Sequence, residues 1–203
     1  MLVGGATFAV QYAAVGRDIR AKTDELGSVA SEAAGAIDGD AHAEITGIDH
    51  PAFLSVRHIL RDTVDRHHLV SPVYTLAPSG DGTRFVVMTN EVPYFGHNYL
   101  LHDEMRPVFD RGESSRKGVY GDEHGYWVSA YAPIKTQDGK VVALVEVDHP
   151  GESYISRRLM GVASGTLLGG LAFVLVLLIP RMARLGAVKG LRHLVVGRLA
   201  TRI

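Results

Sequence analysis

The spacing of apolar positions changes twice along this chain. From residue 17 to 43, Ile19, Thr23, Leu26, Ala30, Ala33 and Ile37 recur at steps of three and four with charges between them. That period predicts a helix with a narrow apolar stripe, which Gly39 ends or bends. Pro51 to His67 predicts a second helix: Pro51 suits a first turn, and Phe53, Val56, Ile59, Leu60 and Val64 fall on one side. After Val70 the pattern becomes that of strands. Residues 71–76 (SPVYTL) and 84–89 (RFVVMT) flank Ser79-Gly80-Asp81-Gly82 and read as a hairpin. Residues 117–120 suggest a short strand. Gly125 to Ile134 and Lys140 to Asp148 form a second hairpin around Gln137-Asp138-Gly139. Residues 90–116 between them are unpatterned, with one helical turn around His102 to Val108. An unpatterned stretch of that length in a compact domain is often a binding loop. From Glu152 a helix continues without a break.

These elements predict an α+β fold, an antiparallel sheet with helices at one face. Leu159 to Ile179 is a run of 21 residues without a charge. It matches the roughly 20 apolar residues a bilayer core requires, whereas core helices rarely stay apolar all round for so long. Arg157 and Arg158 precede it; Arg181, Arg184, Lys189, Arg192, Arg198 and Arg202 follow. This bias places the basic segment 180–203 in the cytoplasm and residues 17–155 outside. Residues 1–16 are apolar, interrupted by Gln11, and read as a truncated first transmembrane helix. An incomplete signal peptide, without its basic region, and an apolar extension of the next helix are the alternatives. Gly161, Gly165 and Gly169 stand four apart. Small residues at that spacing suit the seam of a homodimer, although glycine is also common in membrane helices.

Charge sharpens this division. The 203 residues have a formal net charge of -1, but residues 17–155 hold 13 Lys/Arg and all 22 Asp/Glu. An acidic domain argues against nucleic-acid binding. With 0 Cys there is no disulfide, thiolate metal site or Cys nucleophile.

The run Tyr120 to Ile134 (YGDEHGYWVSAYAPI), followed by Asp138 to Asp148 (DGKVVALVEVD), resembles the second half of extracytoplasmic Cache domains, the PAS-like (PDC) sensors of bacterial transmembrane receptors. Ile37 to His42 (IDGDAH) is similar to the end of that family's first helix. The resemblance covers about residues 17–155 and implies a single-Cache sheet behind a long N-terminal helix. It implies an inner-membrane receptor that senses a small molecule and transmits through its membrane helix to an intracellular output domain. Only 24 residues follow the membrane segment, too few for a catalytic output domain. The chain therefore reads as a receptor fragment or as one signalling through a separate partner.

Strand alternation selects the candidate ligand residues. Trp127, Ser129 and Tyr131 face one way, and Val128, Ala130 and Ala132 the other. Tyr74 opposes Val73 and Thr75, and Glu146 and Asp148 share a face with Val142 and Leu144. With Tyr94 and Tyr99 from the loop, these aromatics and acids would enclose a small polar molecule. Aromatics on a sheet serve equally as packing residues with a satisfied polar tip. The acids favour an amine or cation; Arg84, Arg106 or Arg111 would instead anchor a carboxylate. Nine of the ten His fall in the domain without metal-ligand spacing; His97, His102 and Asp103 are a weak metal candidate. So many His also suggest pH sensitivity. There is no GxSxG elbow, Walker loop or GxGxxG, hence no expected cofactor or catalytic residue. Beside the sensor reading stand two others: a membrane-anchored protein-binding or assembly module without a small ligand, and a membrane-tethered hydrolase.

Overall fold

The computed structural model describes residues 2–199. Met1 of the apolar N-terminal stretch and Arg202 of the basic tail lie outside the described residues. The chain divides into a unit of residues 16–156 and a helical unit made of residues before 16 and after 156.

Helix α1 runs from Leu2 to Ala36, so the periodicity seen from residue 17 continues back through the apolar N-terminal stretch. It stops at Ala36 instead of reaching residue 43, because Asp38 is extended and starts a new helix. Its carboxylate accepts from the backbone N–H of Asp40 (3.0 Å) and Ala41 (3.2 Å), capping α2, Gly39–Ala43. Helix α3, Pro51–His67, has the expected bounds. His50 caps its start, and His68 in the left-handed conformation closes its end.

Six strands follow: β1 Val73–Ser79, β2 Gly82–Met88, β3 Asn98–Tyr99, β4 Ser115–Asp122, β5 Gly125–Lys135 and β6 Val141–Pro150. They form one antiparallel sheet in the order β3-β2-β1-β6-β5-β4. The stretch 90–116 is more ordered than its pattern suggests. It holds β3, a 3-10 turn at Asp103–Met105, helix α4 at Arg106–Arg111 and the start of β4.

Alternation along the strands gives the sheet two buried faces. Val73, Thr75, Val128, Ala130, Ala132, Val145 and Val147 form the face under α2 and α3. There His42 Nε2 lies 2.8 Å from Thr75 Oγ1, which also accepts the Val87 N–H (3.0 Å) at a bulge between β1 and β2. Burial pushes His42 down to about 4, so it is neutral at ordinary pH. The opposite face packs Tyr74, Leu76, Met88, Tyr131 and Leu144 against Met105 and Val108 of the 90–116 segment. Residues apolar or aromatic on both sides of a strand require such double cover.

In the helical unit, the early part of α1 meets the early part of α5, Glu152–Leu199. Ser164 Oγ donates to Gln11 Oε1 (3.2 Å), and the Arg158 guanidinium lies 5.3 Å from the centre of the Tyr12 ring. Within Glu152–Leu178 an 18-residue window has a mean hydropathy of 2.2, and the helix is long and apolar enough to cross a membrane.

Two glycines test the α1–α2 junction. A Cβ on Gly39 would lie 2.2 Å from the Lys135 carbonyl oxygen, whereas one on Gly35, near the exposed end of α1, meets nothing within 4 Å. Gly39→Ala should therefore lower unfolding stability by about 2 kcal/mol or more through overpacking. Gly35→Ala should raise it by about 0.5 kcal/mol through helix propensity. Denaturant unfolding of the full chain in detergent measures both.

Candidate functional site

The two central strands build the site. Cross-strand register sets Tyr74 on β1 opposite Glu146 on β6, and Glu146 opposite Tyr131 on β5. One step along, Asp148 pairs with Ser129, and Ser129 with Lys117 on β4. A bulge between Lys117 and Tyr120 then turns Tyr120 onto the same face, three residues of β4 spanning two of β5. Tyr99 on the edge strand β3 completes the ring of phenols: its ring meets Tyr74 edge-on at 6.1 Å. Tyr131 and Glu146 have no exposed surface and Asp148 is 8% exposed, so these groups form a polar chamber lined by side chains and covered by the 90–116 segment rather than an open pocket.

The two acids have different surroundings. Tyr74 Oη donates to Asp148 Oδ2 (2.6 Å) and Ser129 Oγ to Asp148 Oδ1 (2.5 Å). The Ser129 hydroxyl has one proton, so Tyr120 Oη, 2.9 Å away, is the donor in their contact. Asp148 thus ends a short relay and has a donor on each oxygen. Neither carboxyl oxygen of Glu146 makes a hydrogen bond of normal geometry, nor does the Tyr131 hydroxyl, although Asp148 and the Tyr74 hydroxyl lie close enough to Glu146 to shift its titration. Burial holds both acids above the usual carboxylate range; the Asp148 charge lifts Glu146 further, while the Ser129 and Tyr74 hydroxyls pull Asp148 back down. An unpaired buried carboxylate costs several kcal/mol, and protonation avoids that cost. Burial and the neighbouring acid thus favour a proton on Glu146, whereas the two hydroxyl donors favour the charge on Asp148. Burial, and then the Glu146 charge, also push the Tyr74, Tyr99, Tyr120 and Tyr131 phenols up.

Of the residues singled out by sequence, Tyr74, Tyr99, Ser129, Tyr131, Glu146 and Asp148 come together. Tyr94 and Trp127 do not join them. Tyr94 is exposed and stacks on His97 at 5.7 Å. Trp127 shares the right face but lies near the start of β5, and its indole N–H donates to Asp122 Oδ1 (3.0 Å). Lys117 and Tyr120 were missed. Lys117 Nζ lies 4.4 Å from the Tyr120 ring centre and 3.2 Å from Glu104 Oε2. Alternation of a strand expected at 117–120 could not reveal the bulge that aligns both. His102 packs edge-on against Tyr99 and Tyr120, apart from His97, and among the described residues no cluster of three His, Asp or Glu is arranged to hold a metal. A shallow surface groove of about 590 Å³ beside Arg61, Asp65, Ser71 and Glu91 shares no residue with the chamber.

No family model matches the chain, nor does any curated protein. Solved structures do. The sensor domain of the V. cholerae histidine kinase DctB aligns with 76% of this chain and 57% of that one, at 14% identity and a TM-score of 0.51. The E. coli DcuS sensor domain aligns with 73% of this chain and 97% of its own, at 12% identity and a TM-score of 0.48. The ligand-binding domain of the Campylobacter jejuni chemoreceptor Tlp3, in complex with L-valine, aligns with 75% and 60%, at 14% and 0.46. The chain thus spans about 60% of the Tlp3 domain's length. The fold is that of a Cache-type sensor domain. At these identities the likeness is one of architecture, carried by the DctB superposition.

The buried acids make the stability of this domain depend on pH. A carboxyl raised above its unfolded value near 4.3 contributes stability below that pH. The contribution is lost as pH rises towards the folded value. His42 acts in the opposite sense, losing its contribution as pH falls from about 6.5 through about 4. The difference between wild type and Glu146→Gln isolates the acid. The variant should gain stability relative to wild type as pH rises from 4.5 to 8, in denaturant unfolding of the full chain. A constant difference would contradict the assignment.

Proposed function

We propose that the chain is the sensing and anchoring part of a signal-transduction receptor in the inner membrane. Residues 17–155 face outward, 159–179 span the bilayer, 180–203 lie in the cytoplasm, and 1–16 belong to a first membrane helix. A small molecule binds in the chamber, with Tyr74, Tyr99, Ser129, Tyr131, Glu146 and Asp148 as contacts and with Tyr94 and Trp127 at the rim. The observation that carries this reading is Glu146: a fully buried carboxyl with no hydrogen bond of normal geometry on either oxygen, beside a Tyr131 hydroxyl that also makes none. Evolution of a packed core would fill that place with an apolar residue; a ligand site needs polar groups held in reserve.

The connection to the membrane is short. Asp148 lies on the last part of β6, which ends at Pro150, and α5 begins at Glu152. The Gly151 N–H donates to the Tyr126 carbonyl (2.6 Å), tying this joint to β5. A ligand that repositions Asp148 shifts the first turn of α5 and so biases two arrangements of the helix, provided it binds them unequally. The signal passes to an intracellular output domain or partner. A homodimer would carry it across two copies. Gln11 occupies the space beside Gly161, but Gly169 has nothing within 4 Å and leaves room for a second helix.

Because the chain has 0 Cys, topology can be read with single cysteines. Asp81→Cys, in the β1–β2 turn, should react with a membrane-impermeant maleimide on intact cells freed of their outer membrane. Lys189→Cys should react only after permeabilisation. Equal labelling of both would sink the membrane reading. For sensing, a thermal-shift screen of the full chain in detergent with amines, amino acids and organic acids should yield a stabilising compound. Its effect should be lost in Asp148→Asn; no stabilising compound would favour the assembly module instead.

A further inference from the structure

The chamber is rich in acceptors and poor in cations. Arg84 is exposed on β2. Arg106 and Arg111 are exposed too, paired with Asp103 (3.3 Å) and Glu113 (2.9 Å). None of the three arginines expected to anchor a carboxylate faces the acids. The remaining cation, Lys117, is engaged by Glu104 at 3.2 Å and lies over the Tyr120 ring. What makes no hydrogen bond of normal geometry is the Glu146 carboxyl, on both oxygens, and the Tyr131 hydroxyl. The walls are phenol rings, whose faces attract cations.

We propose that the chamber takes a small organic cation, an ammonium-bearing molecule without a carboxylate, whose N–H groups bond the oxygens of Glu146. This rests on the sensor reading above and decides between the two ligand classes left open by sequence. The exchange is balanced by a proton. Asp148, with a donor on each oxygen, already holds the negative charge, and Glu146 holds the proton. An arriving ammonium supplies the donors that Glu146 lacks, so Glu146 ionises and releases its proton to solvent. Binding therefore tightens as pH rises.

The other groups around Glu146 do not compete for this titration. Tyr74 on β1, Tyr99 on β3, Tyr120 on β4 and Tyr131 on β5 are held above the ordinary phenol range. From the covering segment, His102 is pushed down by burial and by the Lys117 charge, which favours its neutral form. Lys117 and Glu104 pair with each other, and Asp122 is exposed and bound by the Trp127 indole.

Calorimetry of the full chain in detergent with ethanolamine, putrescine, glycine and succinate tests this. In two buffers of different ionisation heat, an amine should bind with release of close to one proton at pH 6. Its affinity should rise by up to tenfold per pH unit while Glu146 is protonated. Glu146→Gln should weaken binding at least tenfold and abolish the proton release. The wild-type proton count needs no variant and stands if that variant misfolds. Binding of succinate or glycine without the amines would overturn the ligand class and leave the sensor reading intact. Amine binding without proton release would place the amine elsewhere and overturn the proposal. Binding of none of the four would also overturn it, the broader compound screen then deciding whether the sensor reading survives.

Discussion

Glu146 and Asp148 sit two residues apart on β6, one of the two central strands, so their side chains leave the same face with a strand on either side. Water cannot reach them once the 90–116 segment covers that face. A carboxyl in such a place must be hydrogen-bonded, paired or neutral. Asp148 takes hydroxyl donors from Tyr74 and Ser129, while burial and the neighbouring acid push Glu146 towards its neutral form. The four tyrosines, the bulge that brings in Tyr120 and the Lys117–Glu104 pair all follow from the need to line this space with groups that tolerate a single buried charge.

That constraint also links the site to the helix. The helical face is apolar and close-packed, with His42 and Thr75 joined as a buried polar pair. The chamber face is where polar groups remain unmatched, and it shares β6 with the joint at Gly151. Under the proposed reading, a ligand that satisfied Glu146 would change the balance of forces on that strand, a few residues before α5. Allosteric couplings of this kind amount to about 1–3 kcal/mol, comparable to a single charge-assisted hydrogen bond gained in a dry site.

Much of the architecture was legible because it was periodic. Pro51–His67 carries its start signal and its stripe, and both hairpins announce their turns. The break between α1 and α2 was visible only as Gly39, since the Asp38 cap competes with a helical stripe that continues to Ile37. β3 has two residues, too few for any period. In the site, alternation along one strand placed Ser129 with Tyr131 and Glu146 with Asp148. Alternation says nothing of which strands are neighbours or where bulges fall, so Lys117 and Tyr120 stayed hidden. Trp127 had the right parity but lies near the start of its strand, where the Asp122 turn takes its indole. The arginines, plausible by charge, are surface residues, and Arg106 and Arg111 pair with acids there.

Infrared difference spectroscopy of wild type against Glu146→Gln reads the chamber's charge directly. At pH 7 and without ligand, the wild type should show a protonated-carboxyl C=O band that the variant lacks. Absence of that band, with only ionised carboxylates on both sides of the difference, would contradict a dry chamber holding one charge between two acids.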